Sequence, residues 1–175
     1  MRDIVSVQLM RDSDMATIND RISGIELMHR AAMGVYNSVT WRKKIAIVCG
    51  DGNNAGDGYA LALILKDNGY NPHIITLGSK LSPDGEYYLN LCKNREISTL
   101  PLEKCDLSAY EILVDCIFGT GFRSVPTGIY ADAINKINSS GAYVVSVDIN
   151  SGLNGDNGIA TLAVKSNLTV SIGTL

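Results

Sequence analysis

Apolar residues fall along this chain in two rhythms. From Gln8 to about Val39 they recur at helical spacing, with Leu27, Met28, Ala31, Ala32 and Val35 on one face and Ser23-Gly24 interrupting the pattern upstream. That segment predicts an N-terminal helical cover. Beyond it, short runs apolar at nearly every position alternate with helical stretches. The runs predict strands at Lys44–Cys49, His73–Leu77, Ile112–Cys116, Tyr143–Asp148 and Leu168–Ile172, and the stretches predict helices at Asp57–Asn68, Pro83–Arg95 and Ile129–Ser139. Gly69 stands where a glycine commonly ends a helix. Strands without a polar face must be covered on both sides. The expected fold is therefore α/β, a three-layer αβα sandwich around a mostly parallel, Rossmann-like sheet.

In such sheets ligands collect at the carboxyl ends of the strands, near a topological switch point. Three polar, glycine-bearing turns follow strands here, at 50–58, 115–124 and 148–155, and they are expected to converge on one site. The first, Gly50-Asp51-Gly52-Asn53-Asn54-Ala55-Gly56-Asp57-Gly58, fits neither the dinucleotide glycine spacing nor a Walker loop, which would carry Lys followed by Ser or Thr. Its glycines would let a phosphate or sugar approach the backbone at a helix N-terminus. Its asparagines offer amide oxygens that can ligate a hard cation without adding negative charge. A tight strand-to-helix turn accounts for the glycines equally well, and Asp57 in a first helical turn would favour the helix dipole whatever the protein does.

Composition narrows the chemistry. A chain of 175 residues, 46% hydrophobic, can bury one substantial core, so one domain over 1–175 is expected. A net charge of −3 gives no footprint for nucleic acid, and no basic run suggests a membrane surface. No apolar stretch approaches the ~20 residues that span a bilayer, and Met1-Arg2-Asp3-Ile4 lacks a signal-peptide core, so a cytoplasmic protein is expected. Cys49, Cys92, Cys105 and Cys116 are widely spaced and read as free thiols, Cys49 and Cys116 at strand ends. His29 and His73 are too few for a zinc site or a histidine triad and read as structural.

Two carboxylates stand at strand ends: Asp115 before Cys116-Ile117-Phe118-Gly119-Thr120-Gly121, and Asp148 before Ile149-Asn150-Ser151-Gly152. Each could simply cap its own turn. A charged group at the end of a buried strand otherwise needs a cation, a proton or several hydrogen bonds, and the pair converging with the asparagine turn favours a functional site.

The ordered set Gly52-Asn53-Asn54-Ala55-Gly56-Asp57-Gly58, Val114-Asp115-Cys116-Ile117-Phe118-Gly119-Thr120-Gly121 and Val147-Asp148-Ile149-Asn150-Ser151-Gly152-Leu153 resembles the three signatures of the NAD(P)H-hydrate epimerases, the YjeF N-terminal domain family. Leu27-Met28 followed by Ala31, and Leu168-Thr169-Val170-Ser171-Ile172-Gly173, match as well. The resemblance implies an isomerase that interconverts the R and S forms of hydrated NADH and NADPH at nicotinamide C6. It implies substrate contacts from Asn53, Asn54, Ala55, Gly56 and Asp57, from Gly119, Thr120, Gly121, Phe122, Arg123, Ser124 and Val125, and from Asp148, which would be the acid–base group. Potassium is the implied cofactor, held by Asn54, Asp115 and Ser151.

Two positions depart from the family pattern, Asn150 where a proline is usual and His29 where an acid is usual; neither is an implied ligand. Family members continue past the Thr-Val-x-x-Gly strand, so a shortened C-terminus or the front of a two-domain enzyme is expected. An ADP- or ATP-dependent dehydratase, fused or separate, is the implied partner, and a homodimer is compatible with the resemblance. The reading carried against it is a non-catalytic nucleotide-binding or scaffold module on the same fold. A nicotinamide-dependent reductase fits less well, because the first glycine turn has the wrong spacing and no acid clearly ends the second strand.

Overall fold

The computed structural model describes residues 6–20 and 22–172. The signal-peptide reading at Met1–Ile4 and the last glycine of the family match, Gly173, lie outside the described residues. Two helices come first, α1 (Val7–Asp20) and α2 (Gly24–Ser38), the second capped by Ser23, whose Oγ accepts the Glu26 N–H at 3.2 Å. The chain then alternates β1 (Ile45–Cys49), α3 (Asn53–Asp67), β2 (His73–Thr76), α4 (Pro83–Asn94), β3 (Thr99–Pro101), β4 (Ile112–Cys116), α5 (Gly128–Ser139), β5 (Tyr143–Val147) and β6 (Leu168–Val170).

The strands form one sheet in the order β3-β2-β1-β4-β5-β6, and each adjacent pair is parallel. This is the doubly wound dinucleotide-fold order, which reverses between β1 and β4. The all-apolar strands follow from it. Successive residues of β1 point to opposite faces, Ile45, Ile47 and Cys49 into a core shared with α2, α3 and α4, and Ala46 and Val48 into a second core shared with α5. Both faces are closed to water, so no strand position on β1 or β4 is polar except Asp115.

Several expected boundaries shift, each for a local reason. Helix α3 begins at Asn53, four residues ahead of the expected Asp57, because Gly52 at φ 79° turns the chain directly into the helix. Asp57 is thus in the second turn of α3 and is no first-turn dipole partner. Strand β5 ends at Val147, since Asp148 adopts φ 71° and cannot continue a strand. Strands β2 and β6 end one and two residues early. Strand β3 was not expected; its three residues pair only with β2 at the sheet edge, and two 3-10 helices at 102–104 and 107–109 follow it. Gly69, at φ 85° just past the last turn of α3, ends that helix as expected. All four cysteines are free.

The β5 turn is anchored by a close backbone crossing. Gly152 has φ 96°, and a Cβ there would lie 2.1 Å from the Leu162 carbonyl oxygen. Gly152→Ala should therefore lower unfolding free energy by more than the about 1–3 kcal/mol typical of strained backbone alone. Urea unfolding monitored by circular dichroism checks this; a variant of unchanged midpoint would mean that the 151–164 turn is loosely held.

Candidate functional site

Asp115 is the innermost functional group of the site. It lies within β4, fully buried, opposite Ser146 of β5 in the parallel register. A charge so placed needs dense hydrogen bonding. Its Oδ2 accepts from the Ser146 hydroxyl at 2.8 Å and from the Ser151 N–H at 2.9 Å, and its Oδ1 accepts from the Ser151 hydroxyl at 2.5 Å and the Ile117 N–H at 3.2 Å. The last of these is the Asx-type cap of its own turn, so the local role and the site role coexist. Burial pushes the Asp115 carboxyl up from its ordinary range, and the hydrogen bonds from Ser151, Ser146 and Ile117 oppose that shift.

Phe118 links this carboxylate to the asparagine turn. Its N–H donates to Ser151 Oγ at 2.8 Å, and its carbonyl accepts from Asn54 Nδ2 at 2.9 Å. Asn54, buried in the first turn of α3, also donates to the Val147 carbonyl at 3.2 Å. One amide thereby ties α3 to the ends of both β4 and β5. Its Oδ1 is buried with no hydrogen-bond partner. Asn54 Oδ1, the Asp115 carboxylate and the Ser151 hydroxyl together make an oxygen-only donor set suited to a hard cation. Among the described residues no cluster of three His, Cys, Asp or Glu could hold a metal, so a cation here would depend on amide and hydroxyl oxygens beside the single Asp115 carboxylate.

Asp148 faces the same cleft. Its positive φ is uncommon for a residue with a Cβ, though Asp tolerates it better than most. Its N–H donates to the Val170 carbonyl at 2.8 Å, and its Oδ2 accepts the Thr120 N–H at 2.7 Å. A Cβ on Gly119 would come 2.8 Å from that same Oδ2, so a glycine is needed for the β4 turn to approach the carboxylate.

Asn54, Phe118, Gly119, Thr120 and Asp148 line a cavity of about 450 Å³ at the carboxyl edge of the sheet. Asn53, Asn54 and Asp57 of α3 form one wall, and 118–122 with Asp148 form another; Asp51 and Asp84 sit along the rim, and Met10, Leu27 and Met28 of the N-terminal helices close the top. Among the described residues its lining holds four carboxylates, Asp51, Asp57, Asp84 and Asp148, and no lysine, arginine or histidine. The wall is therefore inviting to a cation and gives an anion little besides the N–H groups of the α3 N-terminus.

The remaining expected residues sit around it. Ala55 is fully buried, and Gly56 packs on Met28 and Gly85, so either could meet a ligand only through its backbone. Arg123 staples its own turn, its guanidinium donating to Thr120 O at 2.6 Å and Phe122 O at 2.9 Å and pairing with Asp156 at 2.7 Å. Ser124 and Val125 are exposed and do not line the cavity. Asp115 and Ser151 are fully buried and do not line the cavity. Asn150 ties its loop to the start of β6, donating to Val164 O and Ser166 Oγ and accepting from Thr169.

Of the described lining residues that were not among the expected site residues, three bear most on the chemistry of the wall. Phe118 and Asp51 lay inside motifs already quoted, while Asp84 reaches the cavity through the packing of α4, which no local pattern announces. His73 is structural, meeting the Tyr110 hydroxyl at 2.7 Å; His29 is exposed on α2. Burial pushes the Cys49 and Cys116 thiols well up, and Cys92 up to about 12, which keeps all three in the thiol form at neutral pH.

The fold and the cavity define a doubly wound α/β protein with a cavity at the topological switch point. Residues 24–175 match the model of the YjeF-related protein N-terminus, and the chain belongs to that family. It is 34% identical to the NAD(P)H-hydrate epimerase of Limosilactobacillus fermentum, over 95% of this chain and 84% of that protein, and 36% identical to that of Limosilactobacillus reuteri, over 96% and 83%. It is also 32% identical to a bifunctional NAD(P)H-hydrate repair enzyme, Nnr, of Coxiella burnetii, over 93% of this chain but 35% of that longer protein. The crystal structure of yeast YNL200c shares the fold, with a TM-score of 0.83 at 23% identity over 97% of this chain and 80% of that one.

The raised Asp115 pKa has a pH consequence. A carboxyl whose folded pKa lies above its unfolded value contributes stability that is fully present below the unfolded pKa, near 3.8, and is lost as pH rises through the folded value. In potassium-free buffer, the stability difference between the native protein and Asp115→Asn should therefore shift against the native protein as pH rises through that window. Urea unfolding of both proteins from pH 3.5 to 7 measures it, and a constant difference would show that the hydrogen bonds fully offset burial.

Proposed function

We propose that this chain is an isomerase of the NAD(P)H-hydrate epimerase type, interconverting the two C6 epimers of hydrated NADH and NADPH in nucleotide repair. The observation that carries the reading is Asp148. It is a carboxylate held in a left-handed backbone conformation by the Val170 carbonyl, aimed into the cavity, and fixed there by the Thr120 N–H. The chemistry asks for such a group. The substrate carries a hydroxyl on C6 beside the ring nitrogen, a hemiaminal-like carbon, and inversion requires one bond at that carbon to open and close again. A proton leaves or joins the hydroxyl oxygen as it does so, and Asp148 would hold it in transit. The two epimers share an oxidation level, so the interconversion consumes no redox equivalent.

The rest of the site would bind and orient. The N–H groups of the first turn of α3 would face a phosphate, and the 119–122 turn would line the nucleotide. Potassium would be held by Asn54, Asp115 and Ser151. The unpartnered Asn54 Oδ1 supports this: the amide nitrogen is held by the Phe118 and Val147 carbonyls, which leaves a buried oxygen able to ligate a cation. The ion would supply positive charge beside the ligand and hold the loops together. It would also offset a wall of carboxylates against a polyanionic substrate.

The reading places the protein in the cytoplasm, with its substrate. A dehydratase that acts on one epimer is the reaction it would serve, and the bifunctional relatives join two repair functions in one chain. Among the described residues no helix is long and apolar enough to cross a membrane.

Asp148→Asn keeps the shape of the side chain and removes its acid–base capacity. The epimerisation rate at saturating substrate and potassium should fall about 10²–10⁴-fold, with folding intact and substrate binding changed far less. Chiral chromatography of an isolated C6 epimer, corrected for spontaneous conversion, reads the rate. A native protein that does not accelerate conversion would make the chain a binding module, and a fully active Asp148→Asn would remove Asp148 from the chemistry. Asp115→Asn should behave differently, weakening the potassium response and so lowering binding and rate together.

A further inference from the structure

Asp51 stands two residues past β1, and its carboxylate is shared by two segments remote from it in sequence. Oδ1 accepts the Lys80 N–H from the turn after β2 at 2.8 Å, and Oδ2 accepts the Tyr130 hydroxyl of α5. The next residue, Gly52, donates its N–H to the Lys80 carbonyl at 2.8 Å, so the two turns are joined at both ends of one residue. Beyond the hydroxyl, the Tyr130 ring packs 5.1 Å from Phe118, which in turn stacks on Phe122 with centroids 4.1 Å apart and planes 15° from parallel. The Phe118 main chain is the meeting point of Asn54 Nδ2 and Ser151 Oγ.

The geometry points to Asp51 and Tyr130 as positioning residues for the ion and nucleotide site, acting through Phe118. The hydroxyl-to-carboxylate bond fixes the Tyr130 ring, the ring pins Phe118, and the Phe118 main chain sets where the Asn54 amide and the Ser151 hydroxyl stand. This rests on the potassium-assisted epimerase reading. The hydrogen bond to Asp51 pushes the Tyr130 phenol up to about 12, so it stays a donor throughout the working pH range. A purely structural role would make this contact equivalent to any other half-buried tyrosine hydrogen bond. Tyr110 provides that comparison, since its hydroxyl meets His73 at 2.7 Å near the amino ends of β4 and β2, at the opposite edge of the sheet from the cavity.

The test compares Tyr130→Phe with Tyr110→Phe, each removing one hydroxyl and keeping its ring. Potassium is titrated against choline chloride at constant ionic strength, with two readouts: epimerisation rate, and the potassium-specific rise in Tm without substrate. Tyr130→Phe should raise the half-saturating potassium concentration about 10-fold or more, in the about 10–100-fold range of outer-sphere partners, and shrink the Tm rise. Tyr110→Phe should do neither. Asp51→Asn can still accept from Lys80 through Oδ1 and donate to the Tyr130 oxygen through Nδ2, so it should recover most of what Asp51→Ala loses. A Tyr130→Phe protein matching Tyr110→Phe in both readouts would overturn the positioning role alone, as would Asp51→Asn as impaired as Asp51→Ala. A native protein lacking both epimerase activity and a potassium response would overturn the underlying reading with it. If Asp51→Ala does not fold, the tyrosine comparison decides alone.

Discussion

A single buried carboxylate sets the terms for this site. Asp115 sits in the middle of a sheet with no water on either face, where an unpaired charge would cost several kcal/mol. The chain answers with four hydrogen bonds, from the hydroxyl of its cross-strand neighbour Ser146, from both donors of Ser151 and from its own turn. Satisfying the charge thereby fixes the β5 turn against β4. Ser151 reaches Asp115 because the chain doubles back after Asp148, and Gly152, the next residue, at positive φ passes so close to the Leu162 carbonyl that a Cβ would not fit. A demand set by desolvation in one strand has become a constraint on the shape of two loops.

The second constraint is positional. Because the strand order reverses between β1 and β4, the turns after those strands diverge and leave a crevice between them. The first turn of α3 enters it, and the Asn54 amide reaches across to the main chain of both neighbouring strand ends. On the far side Phe118 and Phe122 line the crevice, with the Tyr130 ring packed against Phe118. The crevice is thus framed by backbone held from several directions. A cavity built in this way suits a ligand whose orientation must be fixed rather than one that is merely retained.

Much of this was legible in the sequence, because the features concerned are local. Uniformly apolar runs announced strands covered on both faces, and the two cores bear that out at Ile45 to Cys49. The turns after the first, fourth and fifth strands were visible as polar, glycine-bearing interruptions, and they do meet at one edge. Pattern failed where tertiary contacts decide. Strand β3 is too short to show periodicity and exists because β2 offers it a partner. The start of α3 hid behind glycines that look like loop but turn the chain straight into a helix. Asp51 was read as part of a turn, yet its partners lie 29 and 79 residues away, a separation that no motif encodes.

The two strand-end aspartates look alike in sequence and differ in surroundings, and the difference divides their work. Asp115 has both oxygens doubly engaged by donors in a dry interior, so it is an anchor for the loops around it. Asp148, one residue beyond its strand, has left the sheet through a strained backbone turn and lines the cavity with a main-chain donor holding one oxygen. Pairs of carboxylates separated by environment in this way are a common means of obtaining two roles from one residue type. What converts the second carboxylate from anchor to reactive group is a single backbone angle. Had Asp148 kept the extended conformation of β5, its side chain would have continued the strand's alternation between two buried faces rather than facing the crevice.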